Sequence, residues 1–163
     1  MLPHLNAAWN LARHLSRNDH DAEDIVQESF LRALRFFDSF RGDNERGWLL
    51  AIVRHVAHSA HRRDRVAHIT AEFNDALHSE SVAAEGPVRD MDRQEAGARL
   101  QSALDQLPLQ FREVLVLREL EDLSYDEISR IVRVPIGTVM SRLSRARARL
   151  AHTLTATGES HHD

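Results

Sequence analysis

A chain of 163 residues has room for one ordinary domain or two small ones. It contains no cysteine, which excludes disulfides and thiolate metal sites. No apolar run approaches the ~18 residues of a membrane span, and MLPHLNAAWNLARHL lacks the charged and apolar regions of a signal peptide, so the expectation is a cytoplasmic protein with no membrane span.

The net charge of -4 hides an uneven distribution. All 21 residues counted as Lys+Arg are arginine. From Val66 to Asp92 the acids Glu72, Asp75, Glu80, Glu85, Asp90 and Asp92 face Arg89 alone, with Gly86-Pro87 between them and no sustained periodicity. That composition reads as an acidic flexible linker. It divides the chain into an N-terminal helical unit, 1–65, and a C-terminal one, 93–152, followed by a polar tail, 153–163.

In chain order, a first helix is expected from Pro3 to Ser16, with Leu5, Ala8, Trp9, Ala12 and Leu15 at helical spacing. A second runs from about Asp21 to Asp38. Its first turn carries Asp21, Glu23 and Asp24, as the helix dipole favours, and Ile25, Val26, Phe30, Leu31 and Leu34 are its apolar residues. Phe40-Arg41-Gly42-Asp43-Asn44 reads as a turn. The third helix, about Glu45 to Arg65, sets Trp48, Leu49, Ile52, Val53 and Val56 on one side and Arg54, His55, His58, His61 and Arg62 on the other. The second side suits either a nucleic-acid surface or a plain solvated face. Trp9 and Trp48 read as core. No segment reads as a strand; Val114-Leu115-Val116-Leu117 comes nearest, but it sits inside a helical pattern that Pro108 can open. The fold class is all-α.

Ser124-Tyr125-Asp126-Glu127 has the form of a capping box and should start a short helix that carries Leu123, Ile128 and Ile131 inward and stops near Val132. Arg133-Val134-Pro135 leaves room only for a tight turn before the next helix. The pair therefore reads as a helix-turn-helix whose second helix presents its polar side outward. At about 100° per residue, Thr138, Ser141, Arg142, Arg145 and Arg149 fall within about 60° of one another, and Val139, Leu143, Ala146 and Leu150 form an apolar stripe about 110° round. Short polar side chains beside arginines can reach base edges, a guanidinium matching guanine O6 and N7. Arg147, on the far side of the stripe, reads as a plain solvated charge.

DAEDIVQESFLRAL, FRGDNERGWLLAIVRHV and LDQLPLQFREVLVLRELEDLSYDEISRIVRVPIGTVMSRLSRARARL, in this order and spacing, resemble bacterial sigma factors of the sigma-70 family, extracytoplasmic-function group. The first two stretches look like region 2 and the third like region 4, with the acidic linker between them. The resemblance implies that Asp21, Asp24, Gln27 and Glu28 dock on the β′ clamp coiled coil of core RNA polymerase, and that region 4 meets the β flap. It implies that Phe40, Arg41, Asn44, Arg54, His55, His58 and Arg62 hold the melted minus-10 strand, cations following the phosphates. It implies that Thr138, Ser141, Arg142, Ser144, Arg145 and Arg149 read the minus-35 element. Promoter DNA and core polymerase are the implied partners, and the resemblance admits an anti-sigma factor as a third. The linker acids would lie near the polymerase active centre.

Two departures stand out. Relatives usually begin a helical turn or two before the segment matching Leu2-Pro3-His4-Leu5, so this chain starts late. Where many carry Asn after the arginine of the third helix and Asp four residues on, this chain has His55 and Ser59. The minus-10 preference therefore does not carry over from relatives. No enzyme is expected: there is no Gly-rich phosphate loop and no H-E-x-x-H, and no cofactor is called for. His55, His58 and His61 sweep across a face without a carboxylate pattern, so no metal site is expected. The rival reading is a stand-alone helix-turn-helix regulator with an N-terminal sensor or dimerisation unit. It leaves the acidic helix, the glycine-bearing turn and the basic third helix unexplained as a set.

Overall fold

The structure is a computed structural model in which residues 2–72 and 91–159 are described. Among them there are helices and connecting turns but no strand. The chain forms two compact units, Met1–Ala83 and Ala84–Asp163. Most of the stretch read as linker, 73–90, lies outside the described residues, as does the end of the tail, 160–163.

In the first unit a 3-10 turn, Leu2–His4, leads into α1 (Leu5–Leu15), followed by α2 (Asp19–Phe36), a second 3-10 turn (Phe37–Ser39) and α3 (Glu45–Glu72). The three helices pack on one another. Their shared core is Ala8, Leu11, Ala12 and Leu15 from α1, Ala22, Ile25 and Ala33 from α2, and Leu49, Leu50, Val53, Val56 and Ala57 from α3. The α2 side of this core is narrow. Small residues let the helices approach closely, and the buried Ser29 satisfies its hydroxyl by donating to the Ile25 carbonyl at 2.6 Å.

Several boundaries differ from the reading of the sequence: α1 starts at Leu5, not Pro3, and the last helix of the chain continues to Glu159, through most of the stretch read as a polar tail. The α2 helix opens two residues before Asp21, because the Asn18 side chain caps it, accepting from the Asp21 N–H at 2.8 Å. It ends at Phe36, and Phe37–Ser39 turns more tightly. The α3 helix runs on through Glu72, into the stretch whose acids read as linker: Val66-Ala67-His68-Ile69-Thr70 contains no Gly or Pro to stop it. Leu31 and Leu34, two apolar residues of α2, are each 63% exposed.

The second unit comprises α4 (Met91–Gln106), α5 (Leu109–Leu115), a π-helical turn (Val116–Leu120), α6 (Tyr125–Val132) and α7 (Ile136–Glu159). The α4, α5 and α6 helices all pack against α7. Pro108 opens α5, its carbonyl accepting from Phe111 and Arg112 N–H, both at 3.0 Å. Arg112 in turn closes α4: its guanidinium donates to the carbonyls of Leu104 (2.9 Å), Asp105 (2.9 Å) and Leu107 (2.8 Å), at the helix end where carbonyls run out of intrahelical donors. Val114, Leu115, Val116 and Leu117 are all buried. Surrounded on every side, this helical run carries no amphipathic alternation, which is why it looked nearest to a strand.

The capping box forms as its residues require. The Ser124 hydroxyl accepts from Glu127 N–H at 3.1 Å and the Glu127 carboxylate accepts from Ser124 N–H at 2.8 Å. Such a cap contributes about 1 kcal/mol. The α6 helix stops at Val132 because Arg133 adopts a left-handed conformation, φ 58°, its N–H donating to Ser129 at 2.9 Å. The Ser129 hydroxyl donates to the Val134 carbonyl at 2.5 Å, fixing the turn. Pro135 then starts α7, its carbonyl accepting from Thr138 and Val139.

Candidate nucleic-acid interface

The α7 helix buries Val139, Leu143 and Ala146 against the rest of its unit, and Leu150 is half-buried. This is the expected stripe, and it fixes which side of α7 faces out. Ser141, Ser144 and Arg145 are exposed, and Thr138 and Arg142 are half-buried. Neither Arg142 nor Arg145 has an acid within ion-pair distance among the described residues. Their positive potential is therefore uncompensated along one edge of a helix that begins at a tight turn, an arrangement suited to the phosphates and base edges of a major groove. Arg149 is exposed too, with its guanidinium 4.9 Å from the centre of the Phe111 ring, so packing orients this side chain before any ligand does.

Arg147 corrects the reading of the sequence. It is not a plain solvated charge: its Nε and Nη2 both donate to Glu119 Oε1, at 3.1 and 2.7 Å. That hydrogen bond, with a smaller contribution from Tyr125, holds its guanidinium above the ordinary arginine value. Arg118 lies 4.7 Å over the Tyr125 ring and donates to the Leu123 carbonyl at 2.8 Å. Together these contacts tie the π-helical turn to the starts of α6 and the middle of α7. Both members of the Arg147–Glu119 pair are about half exposed, 47% and 52%, so the pair is worth about 0–1 kcal/mol and weakens with salt. Arg147→Ala is expected to lower the stability of the C-terminal unit by at most about 1 kcal/mol at low salt and by less at high salt. Thermal unfolding of the full chain at two ionic strengths measures it, and a loss independent of salt would contradict the electrostatic origin.

In the first unit, the turn before α3 is built on its own side chains. Phe40 lies 5.0 Å from Trp48 and 6.4 Å from Phe37, ring centre to ring centre, so Trp48, half-buried, sits in an aromatic cluster at the head of α3. Asn44 caps α3, its Oδ1 accepting from Gly47 N–H at 2.9 Å. A Cβ on Gly47 would stand 2.6 Å from Asn44 Nδ2, so glycine is what lets this cap close. Of the residues assigned by resemblance to the minus-10 strand, Phe40 and Asn44 thus also shape the turn, and Arg41 is exposed. Arg54, His55, His58 and Arg62 fall within about 100° on α3; His55 and Arg62 are exposed, Arg54 and His58 half-buried.

The acids of α2 lie in the same unit, across a groove from the Arg62 end of that α3 face. Asp24 and Gln27 are exposed; Asp21 and Glu28 are half-buried. Asp24 lies 3.6 Å from His20, and Glu28 accepts from Arg32 Nε at 2.8 Å. An open groove of about 920 Å³ runs between α2, α3 and the end of α1, lined by Asp21, Asp24 and Glu28 on one wall and by His61 and Arg62 on the other. Burial there, with Arg17 and Arg65 nearby, keeps the His61 imidazole below its ordinary value. The exposed Leu31 and Leu34 fall within about 120° of Asp24, Gln27 and Glu28 on the α2 wheel, giving a face of mixed acid and apolar character. The sequence marks Leu31 and Leu34 as apolar residues of α2 but does not place them at the surface beside these acids.

Among the described residues no group of three His, Cys, Asp or Glu side chains converges as a metal site, and no helix is long and apolar enough to cross a membrane.

These surfaces coincide with known family regions. The family described as Sigma-70 region 2 matches residues 2–66, and Sigma-70, region 4 matches residues 97–150. The chain is 38% identical over 149 residues to the ECF RNA polymerase sigma factor SigE of Mycolicibacterium smegmatis, covering 90% of this chain and 57% of that relative. It is 37% identical over 134 residues to the RNA polymerase sigma-H factor of Pseudomonas aeruginosa, covering 78% of this chain and 69% of that one. Among solved structures it is similar to the sigma factor RpoE in complex with the anti-sigma factor NepR from Bartonella quintana. That match has a TM-score of 0.76 and 32% identity, over 94% of this chain and 93% of that one. The structure of CnrH in complex with the cytosolic domain of CnrY matches with a TM-score of 0.69 and 26% identity, over 95% and 84% of the two chains. With both regions matched in order and relatives of one type along most of its length, the chain belongs to the sigma-70 family of RNA polymerase sigma factors, in its extracytoplasmic-function group.

Proposed function

We propose that this chain binds core RNA polymerase and directs it to initiate at a specific set of promoters, the N-terminal unit docking and holding the minus-10 strand and the C-terminal unit reading the minus-35 element. The observation that carries the reading is the division of charge: an acid and apolar face on α2 in one unit, and Arg142 and Arg145, unpaired by any described acid, on a helix-turn-helix in the other. One face suits a basic protein partner, the other a polyanion. The stand-alone regulator leaves the α2 face without a use.

In this assignment Asp21, Asp24, Gln27 and Glu28 meet the β′ clamp coiled coil and region 4 meets the β flap. Phe40, Arg41, Asn44, Arg54, His55, His58 and Arg62 follow the opened minus-10 strand, and Thr138, Ser141, Arg142, Ser144, Arg145 and Arg149 address the minus-35 duplex. The stretch 66–92 connects the two activities. The factor has no active site of its own; phosphodiester chemistry belongs to the polymerase. The similar sigma factor RpoE is held in its structure by the anti-sigma factor NepR, which supports an inhibitor of that kind as a further partner here. Such work takes place in the cytoplasm.

The test is promoter binding by the chain alone and with core polymerase. A sequence pI of about 6.2 gives the free chain a field that repels DNA, whereas non-specific affinity rests on phosphate neutralisation. The isolated chain is therefore expected to bind promoter duplex poorly at physiological salt, with specificity appearing on the holoenzyme. Nanomolar binding by the isolated chain would favour the stand-alone regulator instead.

A further inference from the structure

Arg133 is the residue that ends α6, and it does so in a conformation that suits it badly. Its φ of 58° and ψ of 46° lie in the left-handed region, where a Cβ crowds the backbone and glycine is the favoured occupant. Non-glycine residues held there are a reservoir of strain, and such strain persists where something else is gained. The backbone bond to Ser129 holds the turn, but among the described residues no contact of the Arg133 side chain supplies that gain. The Arg133 side chain is exposed and, among the described residues, makes no ion pair or side-chain hydrogen bond. Its neighbours differ: Arg130 is held by Asp126 at 2.8 Å, Arg147 by Glu119 at 2.7 Å, and Arg149 lies over Phe111.

The position itself explains the residue. Arg133 lies three residues before α7 begins, in a turn fixed by the Ser129 hydroxyl and continued by Pro135. In a helix-turn-helix the N-terminal part of the second helix enters the major groove, so the turn lies beside the phosphates at the groove's edge. The positive end of the α7 dipole adds to the attraction there. Resting on the reading of α7 as the minus-35 helix, we propose that Arg133 is an additional phosphate contact of that interface, kept in a strained backbone position for its charge.

This makes stability and binding move in opposite directions, which a purely structural role would not do. Arg133→Gly is expected to raise the melting temperature of the C-terminal unit by about 4 °C or more. The same change should remove one phosphate contact, lowering the magnitude of the salt slope of promoter binding by about 0.9 and the affinity about fivefold at 0.15 M salt, equally for all minus-35 sequences. Arg133→Lys keeps the charge and is expected to retain the slope. The experiment uses the full chain reconstituted with core polymerase, a promoter duplex and a scrambled duplex, titrated from 0.05 to about 0.2 M salt. An unchanged slope for Arg133→Gly, or an equal loss for Arg133→Lys, on a holoenzyme that still discriminates promoter from scrambled DNA overturns the Arg133 contact alone. A holoenzyme of the unsubstituted chain that does not discriminate overturns the reading of function and this contact with it.

Discussion

Reversing Asp24 and Glu28 together, as Asp24→Arg with Glu28→Arg, is expected to abolish co-purification with core polymerase while leaving both units folded. The two carboxylates lie one turn apart on α2, Asp24 exposed and Glu28 half-buried, on the wall of the groove that also contains Asp21. Opposed to basic groups on a docking partner, each reversal replaces an attraction with a like-charge contact, and the pair of changes costs several kcal/mol. Folding is largely insulated. The intramolecular pairs lost, Asp24 with His20 and the half-buried Glu28 with Arg32, are solvent-accessible i,i+4 pairs, each worth about 0.3–0.5 kcal/mol. Neither side chain contributes to the core of Leu11, Ile25, Leu49 and Val53. Circular dichroism checks the fold and affinity capture with core polymerase checks docking; undiminished capture would remove α2 from the polymerase interface.

Arg145→Ala carries the second large effect. Arg145 is exposed on the edge of α7 that also presents Ser141 and Arg142, and the burial of Val139, Leu143 and Ala146 prevents that edge from turning inward. Loss of a guanidinium that bridges guanine O6 and N7 costs about 1–3 kcal/mol and relaxes preference at the base it reads. Transcription by the reconstituted holoenzyme on a library randomised across the minus-35 element measures this directly. The same library separates the neighbouring arginines. Arg149→Ala is expected to weaken all sequences alike, as a backbone contact does, with a salt slope smaller by about one unit. Arg147→Ala, acting through Glu119, should leave base preferences intact. If Arg145→Ala leaves them intact as well, or Arg147→Ala alters them most, α7 is docked by a different face.

What could be read from the sequence was whatever depends on near neighbours. The Ser124–Glu127 capping box and the apolar stripe of Val139, Leu143 and Ala146 each follow from residues within one or two turns, and both stand as expected. The π-helical turn at Val116–Leu120 left no local signal: it buries Val116 and Leu117 and exposes Glu119 and Leu120, a pattern that an ordinary helical turn also gives. Acids in the first turn of α2 drew attention past Asn18, whose amide oxygen is the actual cap. Acidic composition concealed that Val66–Glu72 contains no helix breaker. The pairing of Arg147 with Glu119 joins residues 28 apart, and no pattern along the chain announces it. Exposure of Leu31 and Leu34 is likewise decided by where α1 and α3 stop short of covering α2, a property of packing and not of periodicity.

Initiation on native promoters tests the central claim most directly. Host genomic DNA is transcribed by the chain reconstituted with core polymerase from its own host, and the 5′ ends of the products are mapped. The account predicts a discrete set of new start sites, absent with core polymerase alone, preceded by a shared pair of minus-35 and minus-10 elements and lost together in the Asp24→Arg, Glu28→Arg variant. Start sites unchanged by adding the chain, or new ones that persist in that variant, would contradict it.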